Sequence, residues 1–313
     1  MKTLKNFSAV IILALAFGMT FTGCKKNDST PVSNSGSESL TQLSNDQSSV
    51  QGAQDESDAD VNTVLSNGIG QLKNSEMWPC HATIDSSSII NDTITYYITY
   101  NGTNCAGTRT RTGQVQVKKH VGQGWWQAGA TVIVTYIDFK ITRLATGKSI
   151  TLNGTKTYEN VTGGMLFELG TYITTVTHKT WGTMSVTFDD NTTKTWQVAR
   201  QDVFTGSLGQ LVITIDGFGS SGSYNNLVYW GTNRNGEQFY IQTNQSVVHR
   251  QVCQWDPCAG IDAISIPSKN KGATLTFGYN NQNQLITGNE CPTKYKVDWY
   301  FNNLSGTVFL FLP

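Results

Sequence analysis

Arg109 and Arg111 alternate in "RTRTGQVQVKK", so on a strand both side chains leave the same face, with Lys119 in phase. A row of cations suits a carboxylate, a phosphate or a sulfated sugar. The competing expectation is a solvated strand face answered by cross-strand partners. Trp125 and Trp126 sit in "GQGWWQAG", flanked by glycines. On a strand, neighbouring tryptophans would point to opposite faces; in a loop both can project and stack on a sugar ring. Trp181, Trp196, Tyr229 and Trp230 are further stacking candidates, although most aromatics in a sheet protein pack in the core or across strands. Arg109, Arg111, Trp125 and Trp126 are therefore the candidate ligand contacts.

Catalysis finds less support. A glycosidase needs two carboxylates roughly 5–9.5 Å apart. Asp138, Glu168, Asp189 and Asp190 are available, but nothing in the sequence pairs them, and Asp189-Asp190-Asn191 reads as a turn. The chain contains neither His-Glu-x-x-His nor Gly-x-Ser-x-Gly, and "GFGSSG" (217–222) follows "LVITID" as a hairpin would. His81, His120, His178 and His249 have no evident triad partner. His249, Cys253, Cys258 and Cys291 could form a zinc set, but no CxxC pair accompanies them, and no Asp-x-Asp-x-Asp-Gly calcium loop occurs. No catalytic residue, no metal and no cofactor is expected.

The cysteines carry two kinds of chemistry. Cys24 follows Phe21-Thr22-Gly23, behind an apolar run "AVIILALAF" (9–17) and the positive start of Lys2 and Lys5. That is the layout of a secretory signal peptide. Its apolar run is far short of the ~20 residues of a spanning helix. A cysteine in this place resembles a bacterial lipobox, in which the thiol is diacylated and becomes the new N-terminus. Two or three acyl chains hold a protein on a membrane where one does not. The remaining cysteines are Cys80, Cys105, Cys253, Cys258 and Cys291, and an oxidising compartment favours pairing them. We expect Cys80–Cys105 and Cys253–Cys291 with Cys258 left over; a short Cys253–Cys258 loop is the rival.

These residues must be held by strands. From "TITYYITY" (93–100) to "TVFLFL" (307–312), runs of alternating β-branched and aromatic residues recur between Asn-Gly, Gly-rich and Asp-Asp-Asn turns. Short strands with turns every 8–12 residues predict an all-β, antiparallel domain of roughly 15 strands over 77–313, as a meander, an open barrel or a sandwich. Ahead of it the reading is a signal peptide over 1–23, a disordered Ser/Asn/Asp-rich tether over 24–57 and a short helix within 58–76. The tether has almost no bulky apolar residue with which to offset its ordering entropy. Val61, Val64 and Leu65 share a helical face, and Gly68 and Gly70 should end it early.

Only 14% of the residues are charged, and the net charge is zero. Residues 25–76 carry a balance of −5 and residues 77–313 a balance of +3. Neither provides the concentrated basic face of a nucleic-acid binder.

Cys80, then Cys105, Gly107, Arg109, Arg111, Gly113, Val115 and Val117, continue through "VTYIDFKI" (134–141) and "NGTKTYENV" (153–161) to Cys253 and Cys291. In this arrangement the chain resembles a group of β-rich lipoproteins of Bacteroidota. The resemblance implies an envelope location and a sheet fold, and supplies no reaction. The expected function is a non-catalytic lipoprotein, binding or structural, anchored by its N-terminal lipid to the outer membrane and facing the periplasm or the cell exterior. Its partner would be a glycan or an envelope protein. The alternative is a carbohydrate-binding module or carbohydrate-active enzyme at the cell surface.

Overall fold

The computed structural model describes residues 35–72, 79–207, 209–253 and 255–312. Cys24 and the expected signal peptide lie outside the described residues. One long helix comes first, α1 (Ser35–Leu72). Fifteen strands follow: β1 (Ala82–Ser86), β2 (Thr93–Thr103), β3 (Arg109–His120), β4 (Ala130–Arg143), β5 (Ser149–Asn160), β6 (Val176–Phe188), β7 (Thr193–Thr205), β8 (Val212–Gly217), β9 (Gly219–Ser221), β10 (Tyr224–Thr232), β11 (Gln238–Arg250), β12 (Pro257–Ile266), β13 (Lys271–Tyr279), β14 (Lys294–Phe301) and β15 (Leu304–Phe311).

The strands form one antiparallel sheet in chain order, β1 to β7 and then β10 to β15. β8 pairs with β7 and β11 where β10 falls short, and β9 hairpins onto β10, so "GFGSSG" bends a hairpin as expected. Alternating burial, as in β4 and β6, marks one face as the core side. Bulges coil the ribbon. At Gly113 the β3–β4 register shifts, opposite Asp138 at φ 47°. Gly113 has φ 91°, and a Cβ there would sit 2.1 Å from the Asp138 carbonyl oxygen, so only glycine fits. Asp138 is thus a bulge residue, exchanging hydrogen bonds with Asn153.

The coiled sheet encloses α1. From Ser39 to Ser66 a single helical residue, Ala59, is exposed. Strands β2 to β7 lie on residues 54–62 of the helix, and strands β10 to β14 on residues 39–54. Leu40, Leu43, Val50, Ala53, Val61, Val64 and Leu65 share one apolar core with Val115, Val134, Tyr136, Trp196 and Ile241 of the sheet.

Over residues 35–57 this corrects the expectation of a disordered tether, and the helix is not confined to 58–76; residues 24–34 and 73–76 lie outside the described residues. The tether reading counted apolar residues alone. The segment is ordered by polar pairing with the sheet together with burial of Leu40, Leu43, Val50 and Ala53, and the helix continues past Gly68 and Gly70 to Leu72.

Two disulfides are formed, Cys80–Cys105 near the β1 edge and Cys253–Cys291 between the β11–β12 and β13–β14 connections, and Cys258 is a buried free thiol, in agreement with the expected pairing. The first ties the segment before β1 to the β2–β3 turn. Replacing Cys80 and Cys105 together by alanine is expected to cost about 3–4 kcal/mol from loop entropy. Urea titration at fixed pH measures it, and a cost under ~1 kcal/mol would mean that the bridge constrains little.

Candidate functional site

The site that the fold builds is the concave face, and α1 fills it. Along the helix most of the buried polar side chains meet a partner from the sheet or its connecting loops, while Gln42, Ser49 and Thr63 bond within the helix. Lys271 Nζ donates to Ser39 (2.8 Å), and Ser44 shares a hydrogen bond with the Tyr295 hydroxyl (3.0 Å). Arg234 grips Asp46 and also Asp189 and Asp190. Gln47 donates to Asp262, Gln51 meets His249 Nε2, and the Tyr229 hydroxyl donates to Gln54. Arg200 lies between Asp55 of the helix (2.6 Å) and Asp202 of its own strand (2.9 Å). Glu56 faces Arg109 and Arg111, Asp58 holds Lys156, and Asp60 holds Arg111 (2.8 Å) and the Tyr100 hydroxyl (2.9 Å). Asn62 ends the row between the Tyr158 hydroxyl and the Trp125 indole N–H.

The groove itself is cationic and aromatic. Arg111, Lys156 and Arg200 are almost fully buried, with Arg111 over the Tyr100 ring and Lys156 over Tyr136 and Tyr158. Burial lowers the Lys156 pKa, but Asp58 and Tyr136 outweigh it, so the pKa is raised above its ordinary value. The Asp60 carboxyl is pushed up to about 6, because burial exceeds the opposing pull of Arg111 and Tyr100.

Arg111 therefore does not occupy a solvated face. Arg109 and Arg111 share parity with Val115 and Val117, the core residues of β3, and that face points inward. Lys119 is in phase and half-buried. Trp125 is also not a surface contact. It is 1% exposed, packed on Tyr158 and His178, and tied to the helix. Trp126, by contrast, is 60% exposed. Trp196 and Tyr229 are core, while Trp181 and Trp230 are half-buried against Phe218 and Gly219.

The remaining candidates do not converge. Asp189 and Asp190 form the β6–β7 turn, as expected, and Asp190 is held down to about 2 by hydrogen bonds from Thr192 and by Arg234. Glu168 caps a short 3-10 turn by accepting from the Met165 N–H. His178 is sealed among Trp125, Tyr158 and Phe204, and burial takes its pKa down to about 3. Cys253 and Cys291 are joined to each other, and His249 hydrogen-bonds to Gln51 and the Trp255 carbonyl oxygen. Among the described residues no cluster of metal-ligating side chains is present, and no helix is long and apolar enough to cross a membrane.

Asp262 differs from the other buried acids. Among the described residues it forms no ion pair; Gln47 donates to one carboxylate oxygen, the other has no hydrogen-bond partner, and burial raises its carboxyl to about 7. Because its folded pKa lies above the unfolded value, the folded chain binds the extra proton. Stability contributed by the neutral acid is full below about pH 4 and declines as pH rises through 7, by up to about 1.4 kcal/mol per pH unit. Asp262→Asn is expected to abolish that decline while keeping the Gln47 contact. Melting temperatures of both proteins from pH 4 to 8 test this, and parallel curves would refute it.

No family model, no curated protein and no solved structure matches the chain.

Proposed function

We propose that the chain is a non-catalytic lipoprotein of the cell envelope, anchored through Cys24 to the outer membrane, whose sheet serves as a rigid body for binding or structural contacts. One observation carries the non-catalytic part. The concavity where an open sheet of this kind would hold a substrate is occupied along its length by α1, and its charged groups are engaged with that helix. A groove so filled leaves the outer face and the rims as the surfaces for partners. The anchor rests on the lipobox-like approach to Cys24.

Metabolic labelling with a palmitate analogue tests the anchor. Label should enter the wild-type chain, be absent from Cys24→Ala, and follow the outer-membrane fraction. A labelled Cys24→Ala chain would end this reading.

A second reading, glycan contact, is favoured by one rim. The ring of Trp126 lies against Gly124, and its carbonyl oxygen accepts from the N–H of Gly164 (2.8 Å) in the β5–β6 loop, which also carries the exposed Phe167 and Tyr172. Exposed aromatic faces on two joined loops are the usual support for a sugar ring. Glycan-array binding that disappears in Trp126→Ala would favour it; an array without signal would remove it.

A further inference from the structure

The two edges of the sheet are built differently. β1 has five residues, carries the exposed Asp85 and is braced by the nearby Cys80–Cys105 bridge. Short, charged edges of this kind discourage pairing. β15 has eight residues, "LSGTVFLF", with no charge and no proline, and among the described residues it pairs with β14 alone. A long, apolar, uncharged edge is a template for another strand.

We propose that β15 joins two copies of this chain edge to edge, antiparallel, about a two-fold axis at Val308. The backbone sets the hydrogen-bond phase. The Leu312 N–H donates to Thr293 on the β14 side, so by alternation Ser305, Thr307, Phe309 and Phe311 direct their N–H and C=O groups to the open edge. A two-fold axis at Val308 sets Ser305 opposite Phe311 of the second copy and Thr307 opposite its Phe309. Both are hydrogen-bonded pairs, giving about eight new backbone bonds in all.

Side-chain sizes complement one another in that register. Three large residues meet small ones, Phe311 with Ser305, Phe309 with Thr307, and Leu310 with Gly306, over which the Trp299 ring lies, while Leu304 meets Leu312. The nearest charges on β14, Lys296 and Asp298, pair with each other within each copy, so the register sets no like charges directly opposite one another. Phe311, 67% exposed beneath Lys294, would be covered. The contact is small beside the ~800 Å² per partner of a standard interface, so the dimer should be weak and concentration-dependent in solution.

Disulfide trapping of the full chain in detergent tests the register. Val308 meets its own image at the axis, in a non-hydrogen-bonded pair with Cα atoms ~4.5 Å apart. Val308→Cys should give a cross-linked dimer under mild oxidation. Ser305→Cys, whose image lies ~20 Å away, should give at least tenfold less. Adding Thr307→Pro removes an outward N–H without touching the β14 ladder; it should abolish the Val308→Cys product while circular dichroism stays unchanged. A monomer with no cross-link, whether from a bare edge or one covered by residues 1–34, would overturn the proposal. So would a dimer that survives Thr307→Pro, or cross-linking to a different protein only.

Discussion

A chain lacking residues 35–72 is expected not to fold. Seven apolar helix side chains, Leu40, Leu43, Val50, Ala53, Val61, Val64 and Leu65, belong to the main core. Their burial is worth on the order of 10 kcal/mol, comparable to the whole stability of a typical domain. Deletion would also leave Arg111, Lys156 and Arg200 on the inner face without their helix carboxylates. Near-UV circular dichroism and limited proteolysis provide the measurement, with loss of fixed tertiary signal as the expected result. A disordered tether predicts the opposite, a deletion without effect on the sheet. The converse experiment uses the peptide 35–72 alone. Rich in Ser, Asn, Asp and Gly, it has little intrinsic reason to be helical in water and should be largely coil. Sheet and helix would then each depend on the other.

That dependence explains what was legible in the sequence and what was not. The strands announce themselves through alternation, as in "ATVIVTYIDFKI", because one face of each is packed and the other wet. The two disulfides agree with the pairing preferred among connectivities that spacing alone leaves open. The helix is hidden because its burial is polar. Asp46, Gln47, Gln54, Ser57, Asp58 and Asn62 are all buried, yet in sequence they read as a solvated run. Two signals were present. The balance of −5 over residues 25–76 against +3 over 77–313 is the mark of an acidic segment lying in a basic groove. The second is parity. Arg109 and Arg111 alternate in phase with Val115 and Val117, so the arginines share the core face and need buried acids to meet them. Trp125 was obscured for another reason. Loop membership fixes the backbone of a residue and leaves open whether its side chain turns outward; here the Trp125 carbonyl oxygen accepts from the Asn160 side chain at the end of β5 and that of Trp126 from Gly164 in the β5–β6 loop.

The strongest single test of the polar groove is Lys156. It has no exposed side-chain surface, and its ammonium is held by Asp58 between the rings of Tyr136 and Tyr158. Lys156→Met keeps the shape of the chain but strands Asp58, whose second carboxylate oxygen already lacks a hydrogen bond. Breaking a buried pair from one side costs about 3–5 kcal/mol, since the remaining charge stays desolvated. For a chain of this size that lowers the melting temperature by roughly 10 °C. Replacing both partners, Lys156→Met with Asp58→Leu, removes the stranded charge and should recover most of the loss. The exposed pair Lys296–Asp298 serves as the reference, because Lys296→Met there should stay within about 1 kcal/mol. If the single Lys156 variant is as mild as the Lys296 variant, α1 does not sit in the groove as described. If the double variant is no better than the single, the loss lies in packing around Tyr136 and Tyr158 and not in charge. A large single effect with recovery in the pair would establish that the acidic helix and the cationic sheet form one electrostatic unit.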